Sequence, residues 1–223
     1  MQKDIILMGS SSELAKEFFK IINEIETFKV HTISSKKRSN PDLLVNEYIE
    51  DIDSISEYVY TFENPYIVFF NGYLRENRPS YIPSIEEIFD TFKINFLIPS
   101  LIAKNVVRKN KNAKFIFIST IAAIKSRKKN YIYGISKSLT EKYIKNSGFN
   151  FLILRFGKIK TEMSESHNNP PFTLDKFEAG MLIHKHIESN GIVYPTIGLK
   201  VSAMFIKLLP LNILDYIEKN IKK

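Results

Sequence analysis

The chain has 223 residues, of which 44% are apolar, with a formal net charge of +8 at pH 7 and no cysteine. This composition excludes wholesale disorder, a disulfide framework, a cysteine zinc site and a thiol nucleophile, and the length fits one domain over residues 1–223. The charge permits partners that carry phosphate, among them small molecules, nucleic acids and anionic membranes.

The beginning of the sequence does not match a targeting signal. The apolar run Ile5–Met8 is shorter than the core of a signal peptide, and no stretch reaches about 18 consecutive apolar residues. We therefore predict a cytoplasmic protein without a membrane-spanning helix.

Short apolar runs alternate with longer helical patterns along the chain. The strand candidates are Asp4–Met8, Lys29–Ile33, Tyr66–Phe70, Lys114–Ser119 and Phe149–Phe156. The helix candidates are Glu13–Glu24, Ile52–Phe62, Ile85–Arg108 and Ile135–Asn146. Strands that are apolar on both faces and alternate with helices are typical of a parallel sheet with right-handed crossovers. The pattern predicts an α/β, Rossmann-like, doubly wound parallel sheet with helices on both faces, which binds ligands beyond the carboxyl ends of its strands.

Two segments lie outside this alternation. Thr161–Pro171 is polar and rich in turn residues, which predicts a long loop that acts as a mobile lid. The tail Gly198–Lys223 is apolar and basic, and we expect helix on either side of Pro210. Its composition suits an interfacial helix on an anionic leaflet, such as the inner face of the membrane, but equally a core or dimer-forming helix.

The residues Gly9–Ala15 follow the first predicted strand and open the first predicted helix. A dinucleotide pyrophosphate needs this arrangement, because glycine allows close approach of the backbone and the helix N-terminus offers free N–H groups. The residues expected to contact such a cofactor are Gly9, Ser11, Ser12, Glu13 and Leu14. The motif is weak by itself, because Glu13 and Ala15 occupy positions that are often glycine and a serine-rich N-cap gives the same pattern.

The second predicted strand leads into small hydroxyl residues and then three cations, Lys36, Lys37 and Arg38. A site for NAD usually has Asp or Glu here to bind the ribose 2′-hydroxyl, whereas cations suit the 2′-phosphate of NADP. Ser35 and Lys36 therefore predict NADP(H) in preference to NAD(H). The alternative is a solvated basic turn.

Tyr133 and Lys137 are four residues apart, which places both on one face of a helix. An adjacent ammonium lowers the pKa of a tyrosine, so that the phenol group can give and take a proton near neutral pH. The strand that ends upstream contributes two hydroxyls, on Ser119 and Thr120. Together these residues predict general acid–base chemistry.

At these positions the chain resembles the short-chain dehydrogenase/reductase family over nearly its whole length. The resemblance implies a catalytic set of Asn95, Thr120, Tyr133 and Lys137. It implies cofactor contacts beyond the first turn at Asp51, Ile52, Asn71, Gly72, Tyr73, Tyr133, Lys137, Ile159 and Thr161. The chain departs from the family's pattern at Glu13, Ala15, Phe70, Tyr73, Thr120 and Phe156. None of these departures removes a chemical group that the mechanism needs, because Thr120 keeps a hydroxyl.

The family's chemistry implies reversible hydride transfer between NADP(H) and a carbonyl or a secondary alcohol. Tyr133 would donate the proton to the carbonyl oxygen, and Lys137 would hold down the pKa of that tyrosine and bind the nicotinamide ribose. Thr120 or Ser119 would donate a hydrogen bond to the carbonyl. Asn95 would hold a water that passes protons from Lys137 to solvent.

Within the family, the loop Lys125–Gly134 and the segment that begins at Gly191 are similar to those of the decaprenylphosphoryl keto-ribose reductases. This implies reduction of a keto group on a sugar, a nucleotide-sugar or a polyprenyl-phosphate-linked sugar, in cell-surface polysaccharide biosynthesis. Arg127, Lys128 and Lys129 would then meet a substrate phosphate. The alternatives are a ketoreductase for an acyl thioester or small carbonyl, and a non-catalytic regulator that binds NADP(H).

The remaining expectations concern partners. Family members commonly pair through helices, so the resemblance implies a homodimer or homotetramer. His167, His184 and His186 do not have the spacing of metal ligands, and the basic residues are spread without a nucleic-acid motif. We therefore predict no metal and no nucleic-acid partner.

Overall fold

A computed structural model describes residues 2–75, 80–167 and 169–220, with side chains described up to residue 217. Its strands are β1 (Lys3–Met8), β2 (Phe28–Ser34), β3 (Leu43–Leu44), β4 (Tyr66–Phe69), β5 (Lys114–Thr120), β6 (Asn150–Phe156) and β7 (Gly191–Val193). They form one sheet in the order β3-β2-β1-β4-β5-β6-β7, in which every neighbouring pair is parallel. The order reverses direction beside β1, which is the arrangement of a doubly wound fold.

The helices are α1 (Glu13–Asn23), α2 (Ile52–Tyr60), α3 (Ile85–Phe92), α4 (Ile98–Lys109), α5 (Tyr131–Asn146), α6 (Lys176–His186), α7 (Ile197–Leu208) and α8 (Leu211–Asn220). A π-helical turn, Lys93–Leu97, joins α3 to α4. In the described part of the chain, no helix combines the length and apolarity needed to cross a bilayer.

Two apolar layers cover the sheet. Ile6 and Met8 of β1 face the layer built with α2, α4 and α5, whereas Ile5 and Leu7 face the layer built with α1 and α6. All four side chains are fully buried, because successive residues of a strand point to opposite faces. The predicted Rossmann-like sheet with helices on both faces is therefore confirmed.

The structure adds three elements that the sequence analysis did not predict. β3 and β7 have two and three residues, too few for a periodic signal. α6 carries only a weak apolar stripe and is held by packing of Gly180 against α1, where an added Cβ would lie 2.6 Å from Ile21 Cδ1. The predicted long helix Ile85–Arg108 is correct in extent but is interrupted by the π-helical turn.

The two unusual segments also have defined structure. Thr161–Pro171, predicted as a loop, contains a short 3₁₀ turn at Glu162–Ser164. Asn168 within it lies outside the described residues. The tail is helical on both sides of Pro210, as predicted, through α7 and α8, and residues 221–223 lie outside the described part.

Candidate active site

A cleft of about 1000 Å³ opens at the carboxyl ends of the strands. Its wall includes the residues that directly follow four strands, namely Gly9, Ser35, Phe70 and Gly157. Parallel strands end at one edge of the sheet, so these residues meet although they are far apart in sequence. The volume is at the upper end of the range of about 300–1,000 Å³ for small-molecule sites.

Gly9 makes the turn between β1 and α1. Its φ of +75° lies in the left-handed region, and a Cβ at this position would lie 3.0 Å from the backbone nitrogen of Asn71. Ser12 caps α1 by accepting a hydrogen bond from the N–H of Ala15 at 3.2 Å. The turn therefore needs glycine both for its backbone conformation and for the approach of the segment after β4.

Tyr48 supports this turn and was missed by the sequence analysis. Its buried hydroxyl accepts a hydrogen bond from the N–H of Gly9 at 3.0 Å and donates one to the carbonyl of Ile33 at 3.2 Å. Burial raises the pKa of Tyr48, so the group stays a neutral phenol that can donate and accept at once. A lone tyrosine in a loop gives no sequence signal for such a contact.

Asp51 and Ile52 lie outside the wall of the cleft. The Asp51 carboxylate accepts hydrogen bonds from the N–H groups of Asn46 at 2.5 Å and Glu47 at 3.2 Å, so it closes the turn that precedes α2. The structure thus gives Asp51 a local structural role, and its contact with a cofactor stays a prediction. A carboxylate one residue before a helix has the same sequence signature in either role.

The basic turn after β2 has only one of its three cations at the cleft. Ser35 and Lys36 line the wall, whereas Lys37 and Arg38 do not and are exposed on a 3₁₀ turn. The N–H of Lys36 donates to the hydroxyl of Ser34 at 3.0 Å, which fixes the backbone of the turn. A phosphate bound in this part of the cleft would meet Lys36.

Asn95 is fully buried in the π-helical turn and does not line the cleft itself. Its amide accepts a hydrogen bond from the N–H of Tyr73 at 3.0 Å and donates one to the carbonyl of Tyr73 at 2.8 Å. Its own backbone carbonyl accepts the hydroxyl of Thr140 at 2.7 Å. The side chain therefore holds the segment Asn71–Tyr73 in the cleft wall, and the water-holding role expected for Asn95 stays a prediction.

We expect Asn95→Ala to lower the free energy of unfolding by about 2 kcal/mol, because it breaks two hydrogen bonds of about 1 kcal/mol each to one backbone unit. Urea denaturation measures the loss. Asn146→Ala is the matched control, since its amide makes one exposed bond to the carbonyl of Lys142 at 2.7 Å and its loss should stay within about 0.5 kcal/mol. Equal losses in the two variants would contradict the assignment.

Tyr133 and Lys137 share the first turns of α5, and both line the cleft. Burial lowers the pKa of Lys137 to about 8, against an opposing effect of the Glu141 charge. Burial raises the pKa of Tyr133 to about 12. The expected lowering of the tyrosine pKa by the Lys137 ammonium stays a prediction.

Close packing fixes the start of α5. A Cβ on Gly134 would lie 2.8 Å from the carbonyl oxygen of Ala122 and 2.9 Å from the hydroxyl of Ser126. The helix therefore lies against the turn after β5, and the Lys137 ammonium donates to the carbonyl of Ile118 at 3.1 Å. This contact places Tyr133 beside the end of β5.

The structure distinguishes the two hydroxyls at the end of β5. Ser119 donates to the carboxylate of Glu141 at 2.6 Å, within a buried network. Both residues line the cleft, but Thr120 accepts a hydrogen bond from the N–H of Ala122 at 3.2 Å, which leaves its hydroxyl hydrogen to point elsewhere. Of the two, Thr120 is the better placed to donate to a molecule in the cleft.

A buried ion pair lies behind the cleft and was missed by the sequence analysis. Arg155 of β6 donates from Nε to both carboxylate oxygens of Glu141 at 3.0 and 3.1 Å, and Nη2 adds a further short contact. Nη1 of Arg155 donates to the hydroxyl of Tyr194 at 2.6 Å. The side chains of Arg155 and Glu141 are only 16% and 5% exposed. The pair joins α5 to β6.

The segment after β6 is bonded to the first turn of α1. Ile159 and Thr161 line the cleft, and the Glu13 carboxylate accepts the N–H of Glu162 at 2.6 Å and pairs with Lys176 at 2.5 Å. The Lys176 ammonium and this N–H hold the pKa of Glu13 below its usual value. Glu13 therefore ties the first turn of α1 to the segment that was predicted as a lid.

The basic loop and the tail meet at the other end of the cleft. Arg127, Lys128 and Lys129 line it, but Lys125 does not, because its ammonium caps α7 through the carbonyls of Lys207 at 3.2 Å and Leu209 at 2.7 Å. Lys128 lies 3.6 Å from the carboxylate of Asp215. The tail contributes apolar wall residues, namely Phe205, Ile206, Leu209, Leu214 and Ile217. The tail is therefore part of the cleft and was not recognised as such from the sequence.

Most of the sequence-predicted residues come together in this cleft. Its wall contains Gly9, Ser11, Ser12, Glu13, Leu14, Ser35, Lys36, Asn71, Gly72, Tyr73, Thr120, Tyr133, Lys137, Ile159 and Thr161. Among the described residues, no three of the His, Cys, Asp and Glu side chains cluster as metal ligands. His167, which lines the cleft, has its pKa lowered to about 4 by burial and by the cations Lys129 and Lys158.

The fold is similar to that of solved short-chain dehydrogenase/reductase structures. A short-chain dehydrogenase of Burkholderia cenocepacia in complex with NADP superposes with a TM-score of 0.75 at 17% identity, covering 94% of this chain and 100% of its own. A short-chain dehydrogenase of Streptomyces avermitilis gives 0.70 at 12% identity, with 98% and 94% covered. The carbonyl reductase Sniffer of D. melanogaster gives 0.67 at 17% identity, with 87% and 97% covered. No protein-family model and no curated protein sequence matches the chain.

The residues of the cleft fit the dinucleotide that this fold implies. Gly9 leaves the backbone open to close approach, and the N-terminus of α1 faces the same wall. The buried Oδ1 of Asn71 has no hydrogen-bond partner among the described residues, and an acceptor in this state suits a donor such as a ribose hydroxyl. Lys36 supplies a cation at the turn after β2.

Proposed function

We propose that the protein is an NADP(H)-dependent oxidoreductase that reduces a carbonyl group or oxidises the corresponding alcohol. The observation that carries the proposal is the convergence of Thr120, Tyr133 and Lys137 beside a glycine turn that opens a helix, all in the wall of one cleft. NADP(H), when bound, supplies or accepts the hydride. The chain supplies binding, orientation and the proton.

The residues have distinct parts in this chemistry. Tyr133 donates its phenolic proton to the carbonyl oxygen, and the Lys137 ammonium stabilises the phenolate that remains. Thr120 donates a hydrogen bond to the same oxygen and so fixes its position against Tyr133. Asn95 acts from behind the wall by holding Tyr73, which lines the cleft beside Gly72.

The substrate is proposed to combine an anionic group with an apolar portion. Arg127, Lys128 and Lys129 line the cleft next to the apolar tail residues Phe205 and Leu209. Cations recognise phosphate oxygens, and an apolar wall favours a lipid or prenyl chain. A keto-sugar on a nucleotide or on a polyprenyl phosphate has these features, which supports a place in cell-surface polysaccharide synthesis.

The exposed apolar residues of the tail bear on two expectations, membrane binding and self-association. Ile197, Met204 and Leu208 of α7 are 83%, 59% and 76% exposed and lie near Lys200 and Lys207. An exposed apolar stripe with cations suits either the cytoplasmic face of an anionic membrane or a second copy of the chain. Peripheral binding at the membrane and a homodimer or homotetramer are therefore both proposed as expectations, to be measured by vesicle flotation and by sedimentation.

An assay of NADPH oxidation against a panel of carbonyl compounds tests the proposal. The panel contains keto-sugars with and without phosphate, a β-ketoacyl thioester and a small ketone. We expect turnover with the phosphorylated keto-sugars. Turnover with the thioester alone would favour the acyl ketoreductase, and NADPH binding without reduction of any member would favour a regulator.

Lys36→Ala tests the choice of cofactor. We expect the Kd for NADPH to rise about tenfold, which corresponds to about 1.4 kcal/mol, with the Kd for NADH unchanged, because only NADPH carries the 2′-phosphate. Calorimetric titration measures both values. Lys37→Ala is the matched control, since this lysine is exposed on the same turn but does not line the cleft. Equal losses for both cofactors would refute the assignment of Lys36.

A further inference from the structure

The carboxylate of Glu141 is buried near the candidate active site, and no step of the proposed chemistry has assigned it a part. Glu141 is one helical turn beyond Lys137 on α5, and side chains four residues apart lie on the same face of a helix. Lys137 and Glu141 also line one small cavity of about 10 Å³ behind the cleft, together with Ser119. The two residues therefore border the same small cavity in the protein interior.

The burial of Glu141 would be costly without its partners. Its carboxylate accepts hydrogen bonds from Arg155 and from Ser119, and Arg155 in turn is anchored by Tyr194. A buried ion pair of this kind is weak evidence for a role in stability, because hydrophobic residues of similar size often give a protein of equal or higher stability. The position of the ion pair one helical turn beyond Lys137 points to a second role.

We propose that Glu141, held in place by Arg155, is a positioning residue that keeps the Lys137 side chain charged and directed toward Tyr133. The proposal rests on the proposed function, because it assigns Glu141 a part in the chemistry of Tyr133. The groups that face Lys137 support it. The neighbours from β5, from the segment after β4 and from the π-helical turn are neutral, namely Ser119, the Ile118 carbonyl, Asn71 and Asn95. α5 contributes Tyr133 and Glu141, and β6 contributes the Arg155 guanidinium, which is paired with the Glu141 carboxylate. The charge of Glu141 opposes the effect of burial on the pKa of Lys137.

Two variants separate charge from packing. Glu141→Asp keeps the carboxylate but shortens its reach to Arg155. The double variant Glu141→Gln with Arg155→Met removes both charges together, keeps side chains of similar size and leaves no unpaired ion. If the role is electrostatic, the pKa of Lys137 changes in the double variant and stays the same in Glu141→Asp. If the role is only structural, the loss of activity in each variant follows its loss of stability.

The decisive measurement is the pKa of Lys137 itself, followed by NMR of 13C-labelled lysine, with the signal assigned by its absence in Lys137→Arg. We expect the pKa to fall in the double variant by less than the roughly one to three units of an unpaired opposite charge, because the Arg155 charge is removed together with the carboxylate. In Glu141→Asp it should stay close to that of the wild type. The ammonium then persists to higher pH in the wild type than in the double variant. The same pKa in the wild type and the double variant would overturn the proposal.

The pH profile of kcat gives the second readout. The limb that reports Lys137 should move to lower pH in the double variant by the same amount as the NMR value and remain in place in Glu141→Asp. A shifted NMR value with no reduction of any carbonyl by the wild type would leave the role of Glu141 intact and refute the proposed function. An unshifted NMR value with normal turnover would refute the role of Glu141 and leave the proposed function intact.

Discussion

Tyr133→Phe is expected to lower kcat for carbonyl reduction at least about 100-fold while the Kd for NADPH changes less than twofold. A positioned proton donor contributes about 10²–10⁴-fold to a rate, and phenylalanine removes the donor while it keeps the ring that lines the cleft. Steady-state NADPH oxidation gives kcat, and the change in NADPH fluorescence on binding gives the Kd. Unchanged turnover would remove Tyr133 from the chemistry.

Tyr131→Phe is the matched control for this prediction. Tyr131 begins α5 two residues earlier and does not line the cleft. The same loss of one hydroxyl should leave kcat within about twofold. A large loss in both variants would indicate a general effect of the start of α5. A loss confined to Tyr133→Phe identifies the phenol group itself.

Arg155→Met is expected to lower the free energy of unfolding by about 3–5 kcal/mol, because it leaves the Glu141 carboxylate buried without its counter-ion. The Glu141 side chain that remains is only 5% exposed, so water does not replace the Arg155 guanidinium. Urea denaturation followed by circular dichroism gives the value. A loss below about 1 kcal/mol would mean that the pair is open to solvent.

A surface ion pair provides the comparison. Lys109 and Glu57 lie 2.8 Å apart, with side chains 62% and 68% exposed. Glu57→Gln should cost at most about 0.5 kcal/mol, since exposed pairs contribute little. The double variant Glu141→Gln with Arg155→Met should be more stable than Arg155→Met alone, because no unpaired charge remains. This order separates the cost of an unpaired buried charge from the loss of the pair.

Much of the sheet could be predicted because its strands have local signatures. β1 and β5 are apolar on both faces. Gly9 and the pair Tyr133 and Lys137 were found in the same way, from spacing within a few residues. β3, β7 and α6 were missed because short or weakly patterned segments owe their conformation to the neighbours they pack against.

The sequence by itself thus determined the order of the longer strands and of the helices other than α6, and the residue types that can meet at the carboxyl ends of the strands. Only the tertiary structure decided that Thr120 lines the cleft with its hydroxyl hydrogen uncommitted while Ser119 bonds Glu141, and that Asp51 closes its own turn. The same holds for the place of the tail in the cleft wall. Periodicity is a property of neighbours along the chain, whereas the partner of a polar side chain and the burial that shifts its pKa depend on contacts between residues far apart in sequence.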